Sequence, residues 1–404
     1  MEQSRTNRPP SPMNSQWQLP NGRNMTVLVT DENYKHTLGV VRQLGKAKVQ
    51  VCLMAHSLGA LACASRYCAG VIPVAEPGVE ALLTAILKEV QRNHYELLLP
   101  VGYKTTLALA AAKERFLPYV HSEIAECHRI QSAANKYEMA RLCEKIGVPA
   151  PRSFVPQSYD EVRQVAREMQ GPFVLKPQKE SPGRSVSYAR SEPELLALYR
   201  GRFPFETGEN EPPIVQEYVP GYGCGVFATY QKAVCKRVFM HRRIREYPAT
   251  GGVSTCAESF YHPRLEEYGR RILDALQWHG VAMAEFRFDT RDNTFKLIEI
   301  NPKFWGSLEL ALAAGADFPG DLCRMALGET LVFTDKYKRN LRFHWPFSCF
   351  GELYHLKSKP GAFFEVAWDM LDPRVKSNVW LKDLGPNLKE IQSLGDALLH
   401  AMRG

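Results

Sequence analysis

Two acidic residues, Glu285 and Glu299, each lie inside a short apolar run, AEFRFD (284–289) and KLIEINPKF (296–304). Period-two alternation puts Met283, Glu285 and Arg287 on one face of the first run, and Glu299 with Asn301 on one face of the second. Pro302 stops the second ladder, and the turn-rich Thr290-Arg-Asp-Asn-Thr294 between the runs makes them a hairpin. With a loop of odd length, Glu285 and Glu299 become direct cross-strand neighbours with Cβ atoms about 5 Å apart. Two unpaired carboxylates at that distance repel by roughly 3 kcal/mol at an effective dielectric of about 20. Such a pair needs cations. One solution is a salt-bridge network drawing on Arg287 or Lys303; Lys296 points to the opposite face from Glu299 and is excluded. The other is a divalent ion held by Glu285, Glu299 and the Asn301 side-chain carbonyl. A hard-oxygen set of that kind suits Mg²⁺, which is seldom caged by protein alone and usually bridges to nucleotide phosphates.

Groups able to meet a phosphate lie upstream. Lys176 ends the apolar strand 173–176, where a lone ammonium needs an anion. Lys136 opens a helix after Asn135, where the positive helix end favours phosphate. Either lysine, standing alone, is equally well a solvated surface residue. In the loop 180–185, Ser181, Gly183 and Ser185 could turn backbone N–H groups toward phosphates. Arg242, Arg243 and Arg245 offer guanidinium forks that match phosphoryl oxygens. No Ser-His-Asp or Cys-His constellation is present, and His241, His262 and His279 read as structural or surface residues.

The elements that must position these groups fall into two styles. From Met25 to about Arg115 short apolar strands (25–30, 48–54, 70–74 and 95–100) alternate with helices. That is the pattern of a parallel, doubly wound α/β sheet, although no GxGxxG follows the first strand. From residue 135 the punctuation sharpens. Asn135 caps a helix that Gly147 ends, and Ser158-Tyr-Asp-Glu161 is a capping box. After Pro212-Pro213 the chain becomes strand-rich, in α+β style, with a helix over 264–279 before the acidic hairpin. The polar stretch 1–23 reads as an unstructured lead-in without a secretory h-region.

Composition excludes little. The chain has 404 residues, 45% of them hydrophobic and 23% charged, which is ordinary for a globular protein. Ten scattered cysteines read as reduced thiols. No run of about eighteen apolar residues marks a membrane span. The net charge of +8 invites a nucleic-acid reading, but only HRRIR (241–245) is locally dense, and a nucleoside triphosphate explains that cluster equally well.

Taken in order, Lys136, VLKP with Lys176, the Ser/Gly loop, VQEYVPG (215–221), AEFRFD and IEINPKF resemble the ATP-grasp ligases. The resemblance implies a Rossmann-like pre-ATP-grasp domain (24–120), a two-lobed ATP-grasp domain (121–330, lobes 121–212 and 213–330) and a C-terminal extension (331–404) without an assigned role. It implies ATP and Mg²⁺, or Mn²⁺ in its place, as cofactors. Lys136, Lys176, Ser181, Gly183 and Ser185 would meet the phosphates, and Glu217, Tyr218 and Val219 would present backbone groups to adenine. Val219 is the natural donor, because Pro220 has no N–H. Glu285, Glu299 and Asn301 match the metal ligands. Arg243, Arg245 and Lys303 would act at the reacting groups, Lys303 standing where many relatives carry Arg. Gly221-Tyr-Gly-Cys-Gly225 replaces an acidic ribose ligand.

The implied reaction is ADP-forming: a small carboxylate becomes an acylphosphate and is captured by an amine, with amino acids or peptides the usual partners. Neither nucleic acid nor membrane is expected as a partner; the setting would be cytoplasmic, and a homodimer is an open option. A carboxylase using bicarbonate and a nucleotide-binding module without turnover are the rival readings. A basic nucleic-acid binder is the third, and would show steep salt dependence.

Overall fold

The computed structural model describes residues 17–179, 186–202, 211–247, 253–347 and 360–403. The first sheet contains β1 (Thr26–Val29), β2 (Gln50–Ala55), β3 (Gly70–Pro73) and β4 (Leu97–Leu99) in the order β3-β2-β1-β4, all parallel. Val27, Leu28, Val29, Val51, Leu53 and Leu97 are fully buried, as the apolar runs require when helices cover both faces. The unstructured lead-in expected up to residue 23 is corrected for its last part. Trp17 is buried and its carbonyl accepts from the Met25 N–H at 2.9 Å. An indole offers enough apolar area to hold a short polar segment down.

A small antiparallel sheet follows, with β5 (Ser153–Phe154), β6 (Phe173–Lys176), β7 (Ser187–Ala189) and β8 (Ile214–Glu217) in the order β5-β8-β6-β7. Its helices begin as their sequences require. The Asn135 side chain accepts from the N–H groups of Tyr137 and Glu138 at 3.0 and 3.1 Å, and Gly147 ends that helix with φ 66°. Ser158 accepts from the Glu161 N–H while Glu161 accepts from the Gln157 N–H, closing the capping box around helix Tyr159–Met169.

The third sheet has seven strands. They are β9 (Gly221–Gln231), β10 (Val234–Tyr247), β11 (Val253–Ser259), β12 (Gly280–Asp289), β13 (Thr294–Asn301), β14 (Arg342–His344) and β15 (Lys376–Ser377), in the order β13-β12-β9-β10-β11-β14-β15. The C-terminal residues add its last two strands and then return to the first helix, Lys35–Lys46. There the buried Arg42 guanidinium donates to the Asp383 carboxylate at 2.8 Å and to the Asn378 carbonyl at 2.8 Å, with the Trp380 ring 5.0 Å away. Among the described residues no helix is long and apolar enough to cross a membrane.

Candidate active site

Strands β12 and β13 form the expected hairpin, with Glu285 directly opposite Glu299 and Met283 opposite Asn301. The route to that register differs from the expectation. Asp289 pairs with Thr294, so the loop has an even count, and a β-bulge at Ile298 supplies the missing step. Without the bulge, Ile298 would stand opposite Glu285 and Glu299 would face away. The same bulge corrects the reading of Lys296. This lysine pairs across from Arg287 and so shares the face of the carboxylates. Its ammonium nevertheless serves Asp289 at 2.7 Å and Asp292 at 3.2 Å rather than Glu299.

Glu285 and Glu299 border a cleft of about 420 Å³. Each carboxylate has a cation on a different side. Arg243 donates to Glu285 at 2.6 Å, and the Lys136 ammonium lies 3.5 Å from Glu299. The Asn301 amide donates to Glu299 at 3.1 Å. Burial and the neighbouring Glu299 push Glu285 upward, with Arg243 opposing. Burial would also raise Glu299, but Lys136, Lys176, the Asn301 amide and Lys303 outweigh it and bring this carboxyl down to about 2. Lys176 is almost fully buried and donates to the carbonyl of the bulge residue Ile298 at 3.5 Å. Burial and the nearby Lys136 lower its pKa to about 8, while Glu299 and Glu285 pull the other way.

Most of the expected site residues therefore meet. Lys136, Lys176, Glu217, Tyr218, Val219, Arg243, Glu285, Glu299, Asn301 and Lys303 all line the one cleft. Arg245 does not. A bulge in β10 pairs Arg243 with Ala257 but Arg245 with Cys256, so the two arginines point to opposite faces. Arg245 forms an ion pair with Asp369 on the far side. Arg242 pairs with Glu258. Ser181, Gly183 and Ser185 lie outside the described residues.

Two groups in the site went unnoticed in the sequence. Glu246 accepts from Arg243 at 3.0 Å and faces Arg287 at 3.5 Å, and Arg287 in turn donates to the Val219 carbonyl at 2.9 Å. This chain ties the acidic pair to the Glu217–Val219 segment. Within that segment the Glu217 N–H donates to the Arg152 carbonyl and the Tyr218 N–H to the Pro172 carbonyl. Among the described residues the Val219 N–H has no backbone acceptor. The second group is His36 on the first helix. Topology, not local pattern, signals it: β1 and β4 flank the switch point of the parallel sheet, and the helix after β1 starts at that crevice. The glycine run in β9 also has a physical account. A Cβ on Gly223 would stand 2.8 Å from the Arg243 side chain, so glycine leaves room for that arginine to reach Glu285.

His241, His262 and His279 sit in packing roles. His241 is buried, with its ring 2.6 Å from the Ser307 hydroxyl; His262 packs edge-on against Phe295; His279 meets Glu123. Two carboxylates and one amide oxygen at the rim of a lysine-lined cleft form a hard-oxygen donor set that fits Mg²⁺. Among the described residues no cluster of three or more His, Cys, Asp and Glu side chains offers another metal seat.

No family model matches the chain. It is 25% identical over 258 residues to the large chain of carbamoyl phosphate synthase from Rubrobacter xylanophilus, covering 61% of this chain and 24% of that one. It is 23% identical over 183 residues to the D-aspartate ligase of Enterococcus faecium (41% and 43%), and 23% identical over 242 residues to a D-alanine–D-alanine ligase from Wolbachia pipientis (56% and 71%). The chain thus spans about a quarter of the synthase chain and under half of the D-aspartate ligase. Among solved structures, it superposes on the biotin carboxylase–beta-gamma-ATP complex from Campylobacter jejuni with a TM-score of 0.65 at 14% identity, covering 78% of this chain and 74% of that one. The ADP complex of an N5-carboxyaminoimidazole ribonucleotide synthetase gives a TM-score of 0.61 at 14% identity (82% and 85%).

Proposed function

Because the chain is a homologue of ATP-grasp ligases and carries their mixed α/β fold, we propose that it is an ADP-forming carboxylate–amine ligase using ATP and Mg²⁺. On this reading residues 24–120 frame the substrate side and 121–330 close on the nucleotide in two lobes. The extension 331–404 buttresses the first helix. The observation that carries the reading is the directly opposed Glu285 and Glu299, with Lys136 and Lys176 converging on the same cleft.

Glu285, Glu299 and Asn301 would hold Mg²⁺, which when bound neutralises charge on the triphosphate. Everything else is the work of the chain's own residues. Lys136 and Lys176 draw the phosphates against the acidic hairpin, and the Val219 N–H meets the adenine edge. The substrate carboxylate oxygen attacks the γ-phosphorus and ADP leaves, giving an acylphosphate. The amine nitrogen then attacks the acyl carbon, and inorganic phosphate departs as the carbon–nitrogen bond forms. Positioning and charge neutralisation supply the rate in chemistry of this kind. Lys303 lies beside the reacting carboxylate. Arg243, locked between Glu285 and Glu246, keeps the acidic pair in register. The site works on small molecules, and a dimer is proposed on the precedent of a solved neighbour.

The test is ADP release over a matrix of carboxylates and amines. Glu299→Ala and Glu285→Ala should each lower Mg²⁺-dependent release by about a hundredfold or more while the melting temperature changes little. Wild-type turnover in either variant would remove the metal assignment. The likeness to biotin carboxylase favours one second reading, capture of bicarbonate as carboxyphosphate. ADP release that needs bicarbonate but no organic acid would select it.

A further inference from the structure

Among the described residues up to position 120, one side chain lines the cleft, that of His36. It is only 8% exposed, and among the described residues neither ring nitrogen has a hydrogen-bond partner. A buried imidazole without partners marks a missing group rather than a packing convenience. Its ring stacks on Tyr34 with centroids 5.0 Å apart, which fixes its plane.

The surroundings define what is missing. His36 is the second residue of helix Lys35–Lys46, whose first residue is preceded by Tyr34, a residue that provides no side-chain cap. The helix start therefore presents positive backbone groups. Lys35 packs against the segment that carries Lys303: a Cβ on Gly306 would stand 3.3 Å from the Lys35 side chain. The Lys35 ammonium lies 4.6 Å from the Trp345 ring. Burial, Lys303 and Lys35 together lower the His36 pKa to about 3, so the ring is neutral and carries one N–H donor and one acceptor. A cation would be repelled from this corner. A group bearing negative charge and accepting from an imidazole N–H fits it.

We propose that His36 holds the carboxylate of the acid substrate, donating one ring N–H to it at the corner where Lys35 and Lys303 supply positive charge. This makes His36 a specificity-determining residue from the α/β part of the chain, and it rests on the ligase reading only for the identity of the ligand as substrate. Lys136 and Lys176 serve the phosphates, so nucleotide binding does not need His36.

The experiment follows the ring directly. Protein with ¹⁵N-labelled histidine is titrated with acetate and with glutarate, without nucleotide, and the ring resonances of His36 are tracked. Saturable movement of those resonances is expected. His36→Phe keeps the stack on Tyr34 but has no N–H, and should weaken carboxylate binding by about tenfold or more. His36→Gln restores an N–H and should recover most of the loss. MgADP affinity by calorimetry should stay within about twofold in both variants. Unmoved His36 resonances, or full carboxylate affinity in His36→Phe, overturns the proposal. So does inorganic phosphate moving the ring while both carboxylates leave it still. If wild-type protein binds carboxylate through His36 but takes no MgADP, the ligase reading fails and this one stands.

Discussion

Two clusters of charge are buried on the same seven-stranded sheet, and they are built in opposite ways. Around Asp321 every lone pair is spoken for: Arg237 binds both carboxylate oxygens at 2.5 and 2.9 Å, Thr229 donates at 3.1 Å, and Arg324 adds a further contact. Asp321 is 1% exposed and is not among the residues lining the cleft beside Glu285. Around Glu285 and Glu299, two like charges face each other across a hairpin with partners drawn from different elements, and a cavity adjoins them. The first cluster is architecture, because removing a partner strands a charge in a sealed interior. The second keeps unspent coordinating capacity where a ligand can enter. What distinguishes a site from a strut is the unmet demand of the charges, not their burial.

That contrast can be broken by mutation. Asp321→Ala should destabilise the fold by about 3–5 kcal/mol by leaving Arg237 unpaired in the interior, read as a lowered denaturation midpoint. Glu285→Ala or Glu299→Ala should instead cost turnover and leave that midpoint nearly in place. If the hairpin variants unfold as Asp321→Ala does, the acidic pair is a strut as well. Lys176→Met tests the open cluster from its cationic side. Nucleotide affinity should drop by about tenfold or more, and unchanged affinity by calorimetry would take this lysine out of the site.

Gly223→Ala sharpens the contrast further. The added Cβ would push Arg243 off Glu285, so turnover should fall by about tenfold with a smaller change in stability, because the strand still pairs.

Glu309 tests the contrast through pH. This buried carboxylate accepts from the Trp345 indole at 3.0 Å and faces Arg42 at 3.7 Å. Burial raises its pKa to about 7 despite Arg42, the Trp345 hydrogen bond and Lys35. The sign follows from proton counting. Below the unfolded pKa of about 4.5 both states are protonated and nothing is lost. Between there and about 7 the unfolded chain has released its proton while the folded one keeps it, so stability falls as pH rises, by up to about 3 kcal/mol. Glu309→Gln should flatten that part of a melting-temperature-against-pH curve and raise stability at pH 8. A curve indistinguishable from wild type would mean that Glu309 ionises normally.

Much of the site was legible because its signals are local. Asn135, Gly147, Ser158 and Glu161 act within one helix turn, and the apolar runs holding Glu285 and Glu299 announce strands by composition. What escaped depends on register. Bulges at Ile298 and beside Ile244 each change a face by one residue; they reversed the reading of Lys296 and removed Arg245 from the cleft. Neither bulge is marked by a glycine or proline at that residue. Arg42 escaped for another reason. Its partners Asp383 and Asn378 lie more than three hundred positions away, and no window along the chain brings such residues together.

The extra residue at position 298 has a consequence for how this molecule can change. The four-residue tip and the kink together set the phase of the strand, so a regular ladder that kept Ile298 would swing Glu299 to the back of the sheet. Removal of Ile298 is the gentler event. Glu299 would then follow Leu297 directly and still stand opposite Glu285, across a smoother ladder. What such a chain would give up is the carbonyl that receives Lys176.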